Sequence, residues 1–238
     1  MIEEILSFFR NYGLQALATI VIAYLLGSIS FSILFTRVFA ARKDIRSMGS
    51  GNAGATNVLR SVGKLPALCT FVGDFGKGAL AITIGKLIFE YFTPFAVTPY
   101  TTMQYGAYLA GLFCLIGHIY PCYFGFRGGK GVLTAAAMML LIDWRVFLIE
   151  AAIFALIFLF SHIVSLGSIV AATVYPLTTF LVTFFLDYRQ AQGLAASDIN
   201  LHYVVIATVI TLLTGALVVY KHKENIKRLK AGTEKKIF

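Results

Sequence analysis

Leu14-Gln-Ala-Leu-Ala-Thr-Ile-Val-Ile-Ala-Tyr-Leu-Leu-Gly-Ser-Ile-Ser-Phe-Ser-Ile-Leu-Phe-Thr36 is a run of 23 residues without a charge. At 1.5 Å per helical residue it is long enough to cross a hydrocarbon layer of about 30 Å. Further along the chain, a second span covers residues 65–92, although it carries Asp74, Lys77, Lys86 and Glu90, and a third covers 100–121. Residues 131–142 offer only 12 apolar positions before Asp143-Trp-Arg145, which reads as a short sheltered span or a re-entrant piece. Residues 146–186 suffice for two helices, divided between Ser161-His162 and Gly167-Ser168, and residues 199–220 form the last span. The reading is an all-α integral membrane protein with about seven transmembrane helices, one of them short. Composition agrees: 58% of the 238 residues are hydrophobic and 13% charged, against about 45–50% and 25% in soluble domains. The 21 Phe and 12 Tyr exclude a disordered chain.

The cations test this count. Arg37, Arg42, Lys43, Arg46, Arg60 and Lys64 lie in the first connection, Arg127 and Lys130 flank a Gly-Gly pair, and seven more follow Tyr220. With seven spans these segments share one side and hold 15 of the 20 basic residues, whereas connections 93–101 and 187–200 contain only Arg189. The bias predicts an outside N-terminus and a cytoplasmic C-terminus. The net charge of +9 points to these loops or to an anionic ligand before nucleic acid. No linker divides the chain, so residues 1–238 read as one polytopic domain. The first residues, with Glu3 and Glu4, do not resemble a cleaved signal peptide.

The first basic connection contains Gly49-Ser-Gly-Asn-Ala-Gly-Ala-Thr-Asn57, in which every side chain is absent, a methyl, a hydroxyl or a carboxamide. Glycines allow successive N–H groups to converge on an anion. Ser50, Asn52, Thr56 and Asn57 add neutral donors, and Arg46 and Arg60 add fixed positive charge suited to phosphate. In the second, Gly117-His-Ile-Tyr-Pro-Cys-Tyr-Phe-Gly-Phe-Arg-Gly-Gly-Lys-Gly131, Lys130 stands among glycines before an apolar segment, an arrangement that also suits an anion. It is not a Walker A loop, because Phe124 and Gly131 occupy positions that need Gly and Ser/Thr. Gly49-Ser50-Gly51 likewise fails the G-x-S-x-G pattern, with Met48 and Asn52 at the outer positions.

Other polar residues admit blander readings. Cys114, His118 and Cys122 fall four apart, but Pro121 interrupts the helix and no fourth ligand follows, so no metal site is assigned. Asp74 and Lys77 share a helix face at i, i+3, either as an ion pair that positions the helix or as part of the chemistry. In the tail, His222 and Asn225 meet at i, i+3 with Arg228 one turn further, and Gly232 marks a helix end. A basic helix on anionic lipid is the alternative for that segment.

Taken in order, these segments resemble the bacterial acyl-phosphate:glycerol-3-phosphate acyltransferases. Tyr24-Leu-Leu-Gly-Ser-Ile, Asp44-Ile-Arg, Gly49-Ser-Gly-Asn-x-Gly-Ala-Thr-Asn-Val-Leu-Arg60 and Gly63-Lys64 are similar to the first signature of that family. Gly117-His-x-Tyr-Pro with Phe126-x-Gly-Gly-Lys-Gly-Val132 is similar to the second, and His222-x-x-Asn225-Ile-x-Arg-Leu-x-x-Gly-Thr-Glu234-x-Lys-Ile237 to the third. Ser30 stands where the family often has proline, and Arg127 where it often has lysine. The resemblance implies a seven-helix enzyme of the bacterial inner membrane, with its site on the cytoplasmic face and no cofactor. It would transfer an acyl chain from acyl-phosphate to the 1-hydroxyl of sn-glycerol 3-phosphate, beside membrane lipid. Ser50, His222 and Asn225 are then the catalytic candidates. Arg46, Gly49, Gly51, Asn52, Thr56, Asn57, Arg60, Gly128, Gly129 and Lys130 are the substrate-binding ones. The rival is a transporter of a phosphorylated solute, which predicts polar residues through to the outer face and two repeated halves; neither is evident in the sequence.

Overall fold

The computed structural model describes residues 2–92, 100–192 and 198–237, with side chains from residue 11 onward. Connections 93–101 and 187–200 therefore fall partly outside the described residues. The described chain is helical: α1 (Ile2–Gly27), α2 (Phe31–Phe39), α3 (Ala55–Ser61), α4 (Lys64–Tyr91), α5 (Tyr100–Ile119), α6 (Val132–Ile142), α7 (Trp144–Ser161), α8 (Val164–Leu181), α9 (Arg189–Ala191), α10 (Leu201–Lys221) and α11 (Lys223–Lys230). A π-helical turn, Val182–Tyr188, separates α8 from α9. Among the described residues, six segments are long and apolar enough to cross a membrane and one apolar helix, α6, is shorter. The protein is thus a multi-pass membrane protein. At 11 residues α6 extends about 16 Å, too little to cross the apolar layer alone.

The chain forms two compact units, Met1–Leu141 and Ile142–Phe238. In the first, α4 and α5 touch backbone to backbone: a Cβ added at Gly85 would stand 2.5 Å from the Gly106 carbonyl oxygen, and one at Gly106 would stand 2.4 Å from that of Gly85. Lipid gives no hydrophobic drive for helices to associate, so small residues that permit such close approach supply the attraction through dispersion.

The first span is where the structure departs from the sequence reading. Instead of one helix over 14–36, the chain breaks at Ser28–Ser30, where Ser30 is extended (φ −95°, ψ 96°), and restarts as α2. Serine at position 30 does not remove the break. Its freed carbonyls are met from α4: Lys77 Nζ donates to Gly27 O at 2.9 Å and Ile29 O at 2.6 Å, and pairs with Asp74 Oδ1 at 3.0 Å. A buried ammonium with three partners satisfies carbonyls that lipid could not. Asp74–Lys77 is therefore an ion pair that seals a broken helix.

The second unit is built on α7, α8 and α10. The α7–α8 division falls at His162, whose left-handed φ of 58° turns the chain. Asp143 caps α7, accepting from Arg145 N at 2.9 Å. The Arg145 guanidinium binds Asp143 and also makes a two-pronged contact with Asp187 in the π turn, both distances 2.8 Å.

Candidate active site

Asn57, the last residue of the Gly/Ser/Asn stretch, builds the first loop. It lies in α3, is buried, and turns its carboxamide back into the loop. Asn57 Nδ2 donates among Met48 O and Asn52 O, both at 3.0 Å, and Ile45 O at 3.3 Å, while Oδ1 accepts from Ser50 N at 3.0 Å. Gly49 has φ 56°, and a Cβ there would stand 2.3 Å from Asn57 Oδ1, so the glycine is needed for both conformation and space. Gly51 N donates to Met48 O and Gly54 N to Asn52 O. These N–H groups are thus turned to protein acceptors, and the converging N–H cradle expected of the sequence is not formed by Ser50, Gly51 or Gly54. Of the side-chain donors here, Ser50 and Arg60 are exposed, and Asn52 and Thr56 partly so.

Asn57 accordingly holds the loop rather than a ligand. Asn57→Asp, which sets a carboxylate against the carbonyls of Ile45, Met48 and Asn52, is expected to cost about 2–4 kcal/mol and most of the activity. Thermal melting of the purified protein checks the first figure and initial rates the second.

The second loop leaves α5 through a single 3-10 turn, Cys122–Phe124, and runs to Lys130. Gly128 N donates to Ile119 O at 3.1 Å and Gly129 N to His118 O at 3.2 Å, so this glycine pair also satisfies α5 carbonyls instead of an anion. Gly129 is buried because it is where the loops meet: a Cβ there would stand 2.4 Å from Ala53 O and 2.3 Å from His118 Nε2. Lys130 follows, partly exposed. The His118 ring faces Asp74, and Cys114 Sγ lies 3.8 Å from Lys77 O.

Arg46, expected to meet phosphate, bridges the loops. Its Nε and Nη2 donate to Asp44, and its Nη1 donates to Phe124 O at 2.6 Å and Arg127 O at 3.3 Å. The Arg46 hydrogen bond holds the Asp44 carboxyl below its ordinary range. An open groove of about 450 Å³ runs along this bridge, lined by Asp44, Arg46, Ser47, Phe124, Gly125 and Arg127. It includes neither Ser50 nor Lys130.

His222 and Asn225 belong to the second unit. His222 is the joint between α10 and α11 (φ −92°, ψ 8°) and is buried. Its Nδ1 lies 2.7 Å from Val218 O, an acceptor only, so Nδ1 carries a proton. Asn225 Nδ2 donates to Glu234 Oε1 at 2.6 Å, Arg228 Nε to Glu234 Oε2 at 2.6 Å, and Ser165 Oγ to Glu234 Oε1 at 2.8 Å. Asn225 and Arg228 thus share a face, as their spacing predicts, and the chain turns after Gly232 (φ 68°) to bring Glu234 onto it. Sequence reasoning assigned Glu234 no role. Its signal was its place in the third signature.

Burial raises the Glu234 carboxyl, but its bonds to Ser165, Arg228 and Asn225 outweigh that and hold it below the ordinary 4.5. Its stabilisation is therefore complete above about pH 4.5 and is lost as pH falls through the lowered native value. Melting temperature is expected to fall in that acid window for the wild type and to change less in Glu234→Gln, which should melt lower at neutral pH.

A family model described as glycerol-3-phosphate acyltransferase matches residues 17–232. A glycerol-3-phosphate acyltransferase of Syntrophomonas wolfei subsp. wolfei is 43% identical over 224 residues, 94% of this chain and 98% of that protein. Crystal structures of PlsY (YgiH), an integral membrane glycerol 3-phosphate acyltransferase, are similar in fold. The glycerol 3-phosphate form superposes with a TM-score of 0.71 at 34% identity, covering 94% of this chain and 96% of that one. The lysophosphatidic acid form has the same score and identity and covers 94% and 95%. The signatures on the two stitched loops, and the third as far as Gly232, lie within the matched residues 17–232, and the chain belongs to the glycerol-3-phosphate acyltransferase family.

Proposed function

We propose that the protein transfers an acyl chain from acyl-phosphate to the 1-hydroxyl of sn-glycerol 3-phosphate, giving lysophosphatidic acid and inorganic phosphate. The reaction takes place at the cytoplasmic face of a bacterial inner membrane, where the alkyl chain stays in lipid. Residues 1–238 act as one catalytic domain. The observation that carries this reading is the junction of the two loops at Ala53 and Gly129, which sets two anion-suited segments side by side. Two phosphorylated substrates need such a pair.

Acyl-phosphate is already activated, with phosphate as leaving group, so no acyl-enzyme is required. The glycerol hydroxyl attacks the acyl carbon, the carbon–oxygen bond to phosphate breaks, and phosphate departs. The N–H groups of Ser50, Gly51, Gly54, Gly128 and Gly129 are engaged, so side chains carry the charge that those groups do not. Lys130 and Arg60 hold phosphate, and Ser50 and Asn225 steady the developing oxyanion, with Asn52 and Thr56 orienting the phosphates. The hydroxyl proton leaves to His222 Nε2 or to a phosphate oxygen. His222→Gln separates these: near-wild-type turnover at saturating substrate assigns the proton to phosphate.

The test of the whole reading is phosphate release from acyl-phosphate by detergent-solubilised protein, dependent on added glycerol 3-phosphate, with an acyl-coenzyme A thioester as competing donor. Preference for the thioester overturns the donor assignment. Release that does not depend on glycerol 3-phosphate overturns the acceptor.

A further inference from the structure

Beneath the junction of the loops lies a buried polar row to which the proposed chemistry gives no part. Asp74, Lys77 and His118 are 1%, 4% and 6% exposed. Lys77 needs an anion beside it, but sealing the α1 break requires nothing of His118. Yet His118 Nδ1 stands 3.6 Å from Asp74 Oδ1, the same oxygen that pairs with Lys77, an electrostatic contact rather than a hydrogen bond. At its other edge the imidazole abuts both loops: a Cβ on Gly129 would lie 2.3 Å from His118 Nε2 and 2.4 Å from Ala53 O, and the His118 carbonyl accepts the Gly129 N–H. A rigid ring thus stands between a carboxylate anchored through Lys77 and the point where the loops meet.

We infer that Asp74 and His118 are positioning residues for acyl transfer: through the His118 ring, the anchored carboxylate fixes the spacing of the Ala53 and Gly129 loops and so the alignment of the glycerol hydroxyl on the acyl carbon. This rests on the acyl-phosphate reading above. Each loop keeps its own side chains when the ring is removed, so each substrate still binds. A displacement of about 1 Å between them is enough to slow transfer on the order of a hundredfold. Water then takes the place of the hydroxyl. Its oxygen bonds to the acyl carbon, the bond to phosphate breaks, and the water proton leaves with phosphate, giving free fatty acid.

The measurement is the ratio of phosphate released to lysophosphatidic acid formed by full-length solubilised protein, after subtracting spontaneous hydrolysis. The wild-type ratio is expected near one. In His118→Asn and Asp74→Asn it is expected to rise about threefold or more, with transfer slowed about 10- to 100-fold. Asp74→Asn with Lys77→Gln, which removes the ion pair as a whole, should keep the raised ratio. A purely structural role lowers both products together, because it only reduces the active fraction. A ratio that stays at one, or wild-type transfer in the double variant, overturns the inference. If Asp74 variants do not yield monodisperse protein, His118→Asn and His118→Gln decide it. If the wild type ignores acyl-phosphate, the donor assignment has failed instead, and the same ratio of donor hydrolysis to transfer is read with the donor it accepts.

Discussion

Replacing Lys130 by glutamine is expected to lower kcat/KM about a thousandfold while leaving the melting temperature within a few degrees of wild type. Lys130 follows a glycine pair whose N–H groups are committed to Ile119 O and His118 O. In the other loop the N–H groups of Ser50, Gly51 and Gly54 are bonded to Asn57 Oδ1, Met48 O and Asn52 O. Those five N–H groups are therefore not offered to an anion, and Lys130 is the ammonium beside them. Deleting one preorganised donor to developing charge typically costs a hundred- to a thousandfold, and a full charge lies at the upper end of that range. A thousandfold corresponds to about 4 kcal/mol of transition-state stabilisation. Lys130→Arg keeps the charge but not the compact ammonium, and is expected to fall between the two. Steady-state rates of lysophosphatidic acid formation per mole of folded protein check all three. A loss under tenfold in the glutamine variant removes Lys130 from phosphate binding.

The second large effect is on stability. Lys77→Met leaves the Asp74 carboxylate buried without its cation and strips the Gly27 and Ile29 carbonyls of their donor. Removing one partner of a buried ion pair costs about 3–5 kcal/mol. The variant should melt far below wild type or fail to accumulate as monodisperse protein. Asp74→Leu added to it should recover part of the loss, since no unpaired charge remains. Thermal melting in one detergent, read for wild type, single and double variants, gives the comparison. A Lys77→Met protein that melts with the wild type would mean the broken helix is held by packing alone.

The spans were legible because lipid demands long uncharged runs, and residues 14–36, 199–220 and the paired helices of 146–186 supply them. The break at Ser28–Ser30 was not. Ser-Ile-Ser is unremarkable in an apolar run, and what closes the break is an ammonium some fifty residues further along the chain. The Asp74–Lys77 pairing was legible from its one-turn spacing, whereas its contact with His118 depends on how α4 meets α5. Composition marked the Gly49–Asn57 loop, but composition cannot distinguish N–H groups aimed at a ligand from N–H groups bonded at home; the Asn57 carboxamide decided that. The bridge Arg46 makes to Phe124 O and Arg127 O was illegible for the same reason: guanidinium suits phosphate and paired carbonyls equally. Glu234 gained its role only when the tail folded back toward Ser165 and Arg228.

The widened turn at Val182–Tyr188 bears on how this chain compares with its relatives. A π turn holds one residue more than the α-helix it interrupts, so everything beyond it is rotated by about 100° from where unbroken winding would put it. Asp187, near the end of that turn, binds Arg145. A homologue lacking one residue between 182 and 186 would show a single-position gap in alignment, keep a regular helix, and lose the aspartate from reach of the arginine. Such a gap should therefore be accompanied by a change at position 145 or 187.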